Sequence, residues 1–180
     1  MSGHRNGGLP GVLIFDLPVH QDDRGRFVKT FQTPWLAQLG IEMNIREEFF
    51  SISAEDVLRG MHFQTPPADH QKIVTCTSGR VLDVLLDLRP GETYGQSWSI
   101  ELDGDRPQSM LIPRGVAHGF LSMTEDSCMV YKVDHEHSPD HDQGIAWDSF
   151  GFDWPIDAAS VRLSERDQSH PRLATWSTPF

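Results

Sequence analysis

Short apolar or alternating segments recur along this chain, with turn-forming residues between them. Such spacing is typical of a β-sandwich or β-barrel and differs from the alternation of strands and long helices in α/β proteins. Separators such as Asp103-Gly104-Asp105 contain residues that accept the backbone conformations of tight turns. We therefore predict an all-β fold. The predicted strands cover residues 12–17, 27–31, 49–53, 57–64, 72–77, 81–88, 97–102, 110–112, 119–123 and 129–133.

A helix is clearly signalled at one place before the C-terminal region. Thr33 is a candidate N-cap, Pro34 fits the first turn, and Gly40 can end the helix after residues 35–39. Beyond residue 133 the chain becomes polar and then turns aromatic. We expect these aromatic side chains to cover one end or face of the barrel. They are Trp147, Phe150, Phe152 and Trp154.

Length and charge restrict the classes of function. A chain of 180 residues has the size of one domain, so we predict one unit over residues 1–180. The net charge of -11 disfavours nucleic acid and anionic membranes as partners. No apolar run approaches the roughly 20 residues of a spanning helix, and the N-terminus lacks a signal-peptide core. With Cys76 and Cys128 predicted as buried thiols, we expect a cytoplasmic protein.

Two motifs specify the type of barrel. Residues Pro113, Gly115 and His118 have the Pro-x-Gly-x-x-His spacing of the second cupin motif, in which a turn delivers a histidine into the barrel. Lys72 precedes Gly79 by the interval that separates the metal-binding glutamate from the glycine in the first cupin motif. We therefore predict a cupin-type double-stranded β-helix, which is a jelly-roll barrel, with short peripheral helices.

Two positions at which metallocupins bind their ion hold other residues here. His62-Phe63-Gln64 stands where His-x-His is expected, and Lys72 replaces a carboxylate. An ammonium group beside the site would repel a divalent cation by several kcal/mol at low effective dielectric. The sequence therefore predicts a barrel without a bound metal ion. The alternative is a metal-dependent cupin with a three-histidine site formed by His62, His70 and His118.

The polar residues predicted inside the barrel suit proton transfer next to a ketone. This reaction needs a base, a cation near the carbonyl oxygen, and an acid on the opposite face. His62, Lys72 and Tyr131 supply these three groups. A histidine base must be neutral, so a carboxylate is expected to hold its other N–H. Spacing does not choose among three candidates for this carboxylate, which are Asp167, Asp83 and Asp87.

Ordered matches along nearly the whole chain resemble the dTDP-4-dehydrorhamnose 3,5-epimerase family. The matching segments are residues 23–27 (DRGRF), 58–64 (LRGMHFQ), 83–89 (DVLLDLR), 117–120 (AHGF), Tyr131, Trp154-Pro155 and 163–167 (LSERD). The resemblance implies a homodimer with exchange of an N-terminal strand, no cofactor, and a nucleotide-diphosphate 4-keto sugar as substrate. It also implies that His62 and Asp167 form the base, that Tyr131 is the acid, and that Lys72 lies near the 4-keto oxygen.

The same resemblance implies a set of substrate-binding residues. Arg24 and Arg59 are expected to hold the diphosphate, and Arg166 can join them. The other residues expected to contact the substrate are Phe27, Lys29, Gln64, His118 and His137.

Three residues depart from the family pattern where the nucleotide is recognised. Lys29 replaces a glutamate, Phe49 replaces a common asparagine, and His137 stands at the position of a common tyrosine. A changed charge at a base-contacting position changes which base edges can be satisfied. GDP- or CDP-linked 4-keto sugars, including heptoses, are therefore alternatives to a dTDP-linked hexose. Inversion of carbon-3, carbon-5 or both stays open, as do a ketoisomerase and a non-catalytic sugar-binding cupin.

Overall fold

Strands form most of the regular structure in residues 3–180, which are the residues that the computed structural model describes. Their bounds are β1 (Gly3–Asn6), β2 (Leu13–Asp16), β3 (Val19–Asp22), β4 (Gly25–Val28), β5 (Glu47–Ser53), β6 (Leu58–Gln64), β7 (Lys72–Ser78), β8 (Arg80–Asp87), β9 (Ser97–Asp103), β10 (Gln108–Ile112), β11 (Val116–Ser122), β12 (Ser127–Val133) and β13 (Asp142–Gly144). The helical segments are short and peripheral. They are α1 (Thr33–Ala37), α2 (Glu165–Gln168) and a 3-10 turn at Leu173–Thr175.

Two antiparallel sheets make the barrel. The six-stranded sheet has the order β1-β2-β10-β7-β12-β5, and the five-stranded sheet has the order β13-β6-β11-β8-β9. Strands that are distant in sequence therefore lie side by side, as the double sheets of a jelly roll require. The hairpin of β3 and β4 forms a separate two-stranded sheet. The predicted all-β, cupin-type jelly roll is confirmed.

Apolar side chains of both sheets meet inside the barrel. Val74, Leu85, Met110, Phe120 and Met129 come from five different strands and are almost completely buried. Because successive strand residues point to opposite faces, every second residue from these positions also points inward. The core thus continues into the polar end of the barrel, where the candidate site lies.

The outer face of the five-stranded sheet is covered by the C-terminal region. A second apolar core lies between them. It contains Leu58, Val84 and Leu86 of the sheet and Trp154 of the C-terminal region. The predicted aromatic cover is confirmed. Its other aromatic members are Trp147, Phe150, Phe152, Trp176 and Phe180.

Several element boundaries differ from the prediction. The short strands β1, β3 and β13 gave no signal in the sequence, because they are mostly polar and so lack apolar alternation. α1 begins at Thr33 itself, with Gln32 as N-cap and without a side-chain cap bond, so Thr33 as the cap was wrong. The helix ends at Ala37 with Gln38 as C-cap, two residues earlier than predicted, and Gly40, with a φ of +71°, lies in the turn that follows and donates its N–H to Ala37 O.

The largest shifts in strand bounds, of three residues, occur in two strands. The strand predicted at 27–31 spans Gly25–Val28, and the one predicted at 119–123 begins at Val116. Among residues 3–180, no helix is long and apolar enough to cross a membrane.

Candidate active site

A cavity of about 460 Å³ opens at the polar end of the barrel. Lys72 lies two residues before the buried Val74, His118 two before Phe120, and Tyr131 two after Met129, so strand alternation turns all three side chains inward. His62 lies directly opposite His118 in the pairing of β6 with β11, and it faces the same cavity. The register of four strands therefore brings these residues together.

His62 and Asp167 are in direct contact. Asp167 lies in α2, where Ser164 caps the helix by accepting a hydrogen bond from the Asp167 N–H at 3.0 Å. This cap directs the buried carboxylate towards β6, where Asp167 Oδ1 lies 2.6 Å from His62 Nε2. A carboxylate only accepts, so His62 Nε2 carries the proton and Nδ1 is left as the acceptor.

Burial lowers the pKa of His62 from its ordinary value, although the hydrogen bond and negative charge of Asp167 act in the opposite direction. Burial by itself would raise the pKa of Asp167, but the neighbouring His170 and His62 imidazoles bring it well below its usual range. The pair is therefore a neutral imidazole beside an ionised carboxylate at neutral pH. This is the protonation state that a histidine base requires.

The other two carboxylate candidates have different partners. Asp83 lies 2.8 Å from His118 Nε2, and both side chains are buried. Burial raises the pKa of Asp83, with His118 opposing the shift. Asp87 binds Arg89 at 2.6 Å and accepts a hydrogen bond from Thr93 at 2.8 Å. Of the three candidate carboxylates, Asp167 is therefore the one that contacts His62, a choice that sequence spacing could not make.

Lys72 points into the cavity rather than to solvent. Its ammonium group lies 3.4 Å from the backbone carbonyl of His62. Burial lowers the Lys72 pKa to about 8, while the negative charges of Asp142 and Asp83 work against the shift. The cation therefore lies beside the His62 backbone and inside the cavity, where it can face a carbonyl oxygen of a bound molecule.

Tyr131 lines the cavity between two other rings. Phe49 stacks on its phenol with ring centroids 4.8 Å apart and an interplanar angle of 13°, and the His118 ring lies 5.9 Å away at a steep angle. Burial raises the pKa of Tyr131 above its usual value. The hydroxyl therefore stays protonated over the ordinary pH range and is available as a proton donor.

The remaining cavity residues surround this centre. Arg59 donates to Ser53 Oγ at 3.0 Å, and Arg166 forms an ion pair with Asp142 at 2.7 Å. Gln64 donates to Ala68 O at 2.8 Å and accepts from the Ser138 N–H at 2.6 Å, so its amide also holds two loops. The predicted substrate-binding residues that line the cavity are Arg59, Gln64, His118, His137 and Arg166.

Three predicted substrate-binding residues do not reach this cavity. Arg24, Phe27 and Lys29 lie on or just after the β3–β4 hairpin, outside the cavity of their own chain. Arg24 is highly exposed and pairs with its neighbour Asp22. A shared sequence motif did not place them near His62, because the hairpin projects as a separate sheet.

The alternative three-histidine metal site does not form. His70 lines the cavity and lies 3.0 Å from Gln64, and burial lowers its pKa to about 2. His62, His70 and His118 do not converge on one point. Among the described residues, the group with nearby ligand-type atoms is His62, Asp167 and His170, all within 4.8 Å. The 2.6 Å between His62 and Asp167 is a hydrogen-bond distance, shorter than the roughly 3 Å between neighbouring ligands of a metal with bonds of about 2.1 Å.

Sequence reasoning missed several residues of the site. Glu47, His135 and Asp142 line the cavity without belonging to a recognisable motif. His170 lies next to Asp167, and its spacing from Asp167 in the sequence could have revealed this. The two residues are three apart at a short helix, which places them on the same side.

The chain is similar over nearly its whole length to known epimerases. Residues 6–175 match the model of the dTDP-4-dehydrorhamnose 3,5-epimerase family. The chain is 34% identical to such an epimerase from Methanothermobacter thermautotrophicus, over 89% of each chain. It is 36% identical to the one from Escherichia coli, over 89% of this chain and 88% of that one.

Solved structures of epimerases also have the same fold as this chain. A Legionella pneumophila dTDP-6-deoxy-D-glucose-3,5-epimerase in complex with dTDP-4-keto-L-rhamnose superposes with a TM-score of 0.90 at 30% identity, covering 96% of this chain and 93% of that one. A 3'-monoepimerase from Streptomyces bikiniensis in complex with dTDP-quinovose superposes with a TM-score of 0.88 at 27% identity, covering 94% of this chain and 87% of that one.

Proposed function

Because this chain belongs to the dTDP-4-dehydrorhamnose 3,5-epimerase family, we propose that it epimerises carbon-3, carbon-5 or both of a nucleotide-linked 4-keto-6-deoxy sugar. The observation that carries the proposal is the 2.6 Å contact between His62 and Asp167 in a cavity that Lys72 and Tyr131 also line. Base, cation and acid thus surround one space, as proton transfer next to a ketone requires.

In the proposed reaction His62 Nδ1 removes the proton next to the 4-keto group. Asp167 holds the Nε2–H, fixes the tautomer and stabilises the imidazolium that forms. The Lys72 ammonium group stabilises the negative charge that develops on the keto oxygen. Tyr131 then donates its proton to the opposite face of the carbon, which inverts the centre.

The nucleotide diphosphate is proposed to bind at the cavity rim. Arg59 and Arg166 offer planar guanidinium groups to the phosphates, a geometry that arginine favours. Gln64, His118 and His137 line the same cavity and are proposed to contact sugar or base. We propose a dTDP carrier, since the matched relatives are dTDP-sugar epimerases.

A homodimer is proposed to complete the site. β5 is an edge strand of the six-stranded sheet, and its Phe50 and Ile52 are more than half exposed. Phe27 on the hairpin is also exposed at 61%. Apolar side chains on an open sheet edge favour association with a second chain. In such a dimer the hairpin would bring Arg24, Phe27 and Lys29 to the cavity of the partner.

Incubation in deuterated water tests the function. TDP-, GDP- and CDP-linked 4-keto-6-deoxy sugars are each mixed with the protein, and NMR follows deuterium at carbon-3 and carbon-5. We expect label and inversion with the TDP sugar. Faster turnover of the GDP or CDP sugar would reassign the carrier, and movement of the carbonyl would indicate a ketoisomerase. Binding without label in any of the three would indicate a sugar-binding protein and overturn the proposal.

A further inference from the structure

A second histidine lies against the carboxylate of the proposed base pair. His170 follows α2, and its Nε2 lies 3.4 Å from Asp167 Oδ1. His62 Nε2 contacts the same oxygen at 2.6 Å. The two imidazole rings meet edge to face with their centroids 5.5 Å apart. One carboxylate oxygen is therefore shared by two histidines.

We propose that His170 is a positioning residue, which fixes the Asp167 carboxylate and takes up part of its charge, so that Asp167 polarises His62 less strongly than it would by itself. The inference rests on the proposed function, in which His62 is the base, and it adds a residue that tunes that base.

The surroundings of His170 determine which of its atoms carries a proton. His170 Nε2 is buried and, within residues 3–180, has no hydrogen-bond partner of good geometry. The nearest charged atom is a carboxylate oxygen, which only accepts. A bare lone pair would be repelled there, so Nε2 carries the hydrogen, and its positive end lies near the Asp167 carboxylate at 3.4 Å without a well-aligned hydrogen bond.

The position of the His170 ring is also fixed by packing. The ring lies on Gly144 of β13, and a Cβ at that glycine would collide with its imidazole atoms. Gly144 is in turn paired with His62 in the sheet. The glycine thus provides the space that lets His170 approach the His62–Asp167 pair.

The other charged groups near His62 make it sensitive to Asp167. Lys72 of β7 and Arg166 of α2 both disfavour its protonation. Asp142 of β13 is engaged with Arg166, and Asp83 of β8 is paired with His118 of β11. Asp167 is therefore the carboxylate that stabilises the His62 imidazolium directly.

The direction of the effect follows from this arrangement. An Nε2–H of His170 near Oδ1 stabilises the ionised carboxylate and weakens its attraction for the His62 proton. If that donor is removed, the charge of Asp167 acts on His62 without competition. The imidazolium is then stabilised, and the pKa of His62 rises.

A matched set of variants tests the inference. His170→Leu removes the donor, whereas His170→Gln keeps an amide N–H that can reach the Nε2 position. NMR of ¹⁵N-labelled histidine gives the His62 pKa without substrate, with EDTA in all samples. We expect an upward shift of about 0.5 to 1 pH unit in His170→Leu, and a value within about 0.2 unit of wild type in His170→Gln.

The acidic limb of the pH profile of α-proton exchange should move in parallel. An unchanged His62 pKa in His170→Leu, or an equal shift in both variants, overturns the inference. A uniform loss of rate without a pH shift would mean that His170 only supports the fold, and also overturns it. Thermal unfolding checks each variant, and His170→Asn, whose amide is too short, replaces His170→Leu if that variant does not fold.

The titration separates this inference from the proposed function. A wild-type protein that exchanges no α proton contradicts the function, while the substrate-free His62 pKa still decides whether His170 acts on His62 through Asp167.

Discussion

Phe49 lies nearly parallel to the phenol ring of Tyr131, with their centroids 4.8 Å apart. The contact covers one face of the proposed acid and restricts the directions in which its hydroxyl can point. A residue that departs from the family pattern is thus in direct contact with the group that is proposed to set the stereochemical outcome.

Replacing Phe49 should make the orientation of the Tyr131 ring less fixed. Phe49→Asn removes an aromatic contact worth about 0.5 to 1.5 kcal/mol, so we expect about a two- to tenfold fall in the ratio of inversion to proton exchange. NMR in deuterated water measures both quantities. Phe49→Tyr keeps the ring and is the control. An unchanged ratio in Phe49→Asn would show that stacking does not orient the acid.

Loss of the acid itself should separate exchange from inversion. In Tyr131→Phe the base can still remove and return the proton on its own face, so deuterium enters the sugar while net inversion is lost. Deuterium incorporation by NMR and product configuration are measured on the same sample. If inversion continues at the wild-type rate, another residue is the acid.

Loss of the base should stop both processes. We expect His62→Asn to lower exchange about a hundred- to ten-thousand-fold, because proton transfer contributes about that much, while TDP affinity changes little. Calorimetry measures TDP binding. His4→Asn, on the exposed strand β1 and away from the cavity, is the matched control. Substantial exchange by His62→Asn would contradict its role as base.

The pH dependence of kcat/KM should be bell-shaped. The active form needs neutral His62, whose pKa is lowered by burial, so activity falls only at a pH below about 6.5. It also needs charged Lys72, whose pKa is about 8, so activity falls again above that pH. Lys72→Arg keeps its charge to higher pH and should move the basic limb upward. A wild-type profile that stays flat from pH 8 to about 10 would contradict the role of Lys72.

Mixing two inactive variants tests the exchanged hairpin. Arg24→Ala and His62→Asn damage different parts of the site, and a mixed dimer has one intact site only if Arg24 acts on the partner's cavity. We expect activity to return when the two variants are refolded together. His62→Asn with Asp167→Asn is the control, since both residues belong to the same chain's pair and no intact site forms. No recovery in the first mixture would place Arg24 outside the partner's site.

The sequence by itself determined the fold class and the kinds of chemical group in the barrel. Short apolar or alternating runs are a local property, so β7 and β12 could be predicted from neighbouring positions, whereas His118 was predicted inside the barrel from the Pro-x-Gly-x-x-His spacing. The short strands β1, β3 and β13 carry no such pattern, because they are mostly polar. β1 and β3 pair with the strands next to them in sequence, whereas β13 pairs with the distant β6.

Tertiary structure decided which groups meet. Spacing did not choose among Asp167, Asp83 and Asp87. The family resemblance implied Asp167, and the docking of α2 on β6 brings its carboxylate within 2.6 Å of His62. The contacts of His170 with Asp167 and of Phe49 with Tyr131 also depend on the tertiary structure. Arg24 matched a motif, yet the hairpin carries it away from its own cavity. Distances between side chains depend on strand register and helix docking, which are set by packing of the whole barrel and not by the residues adjacent in sequence.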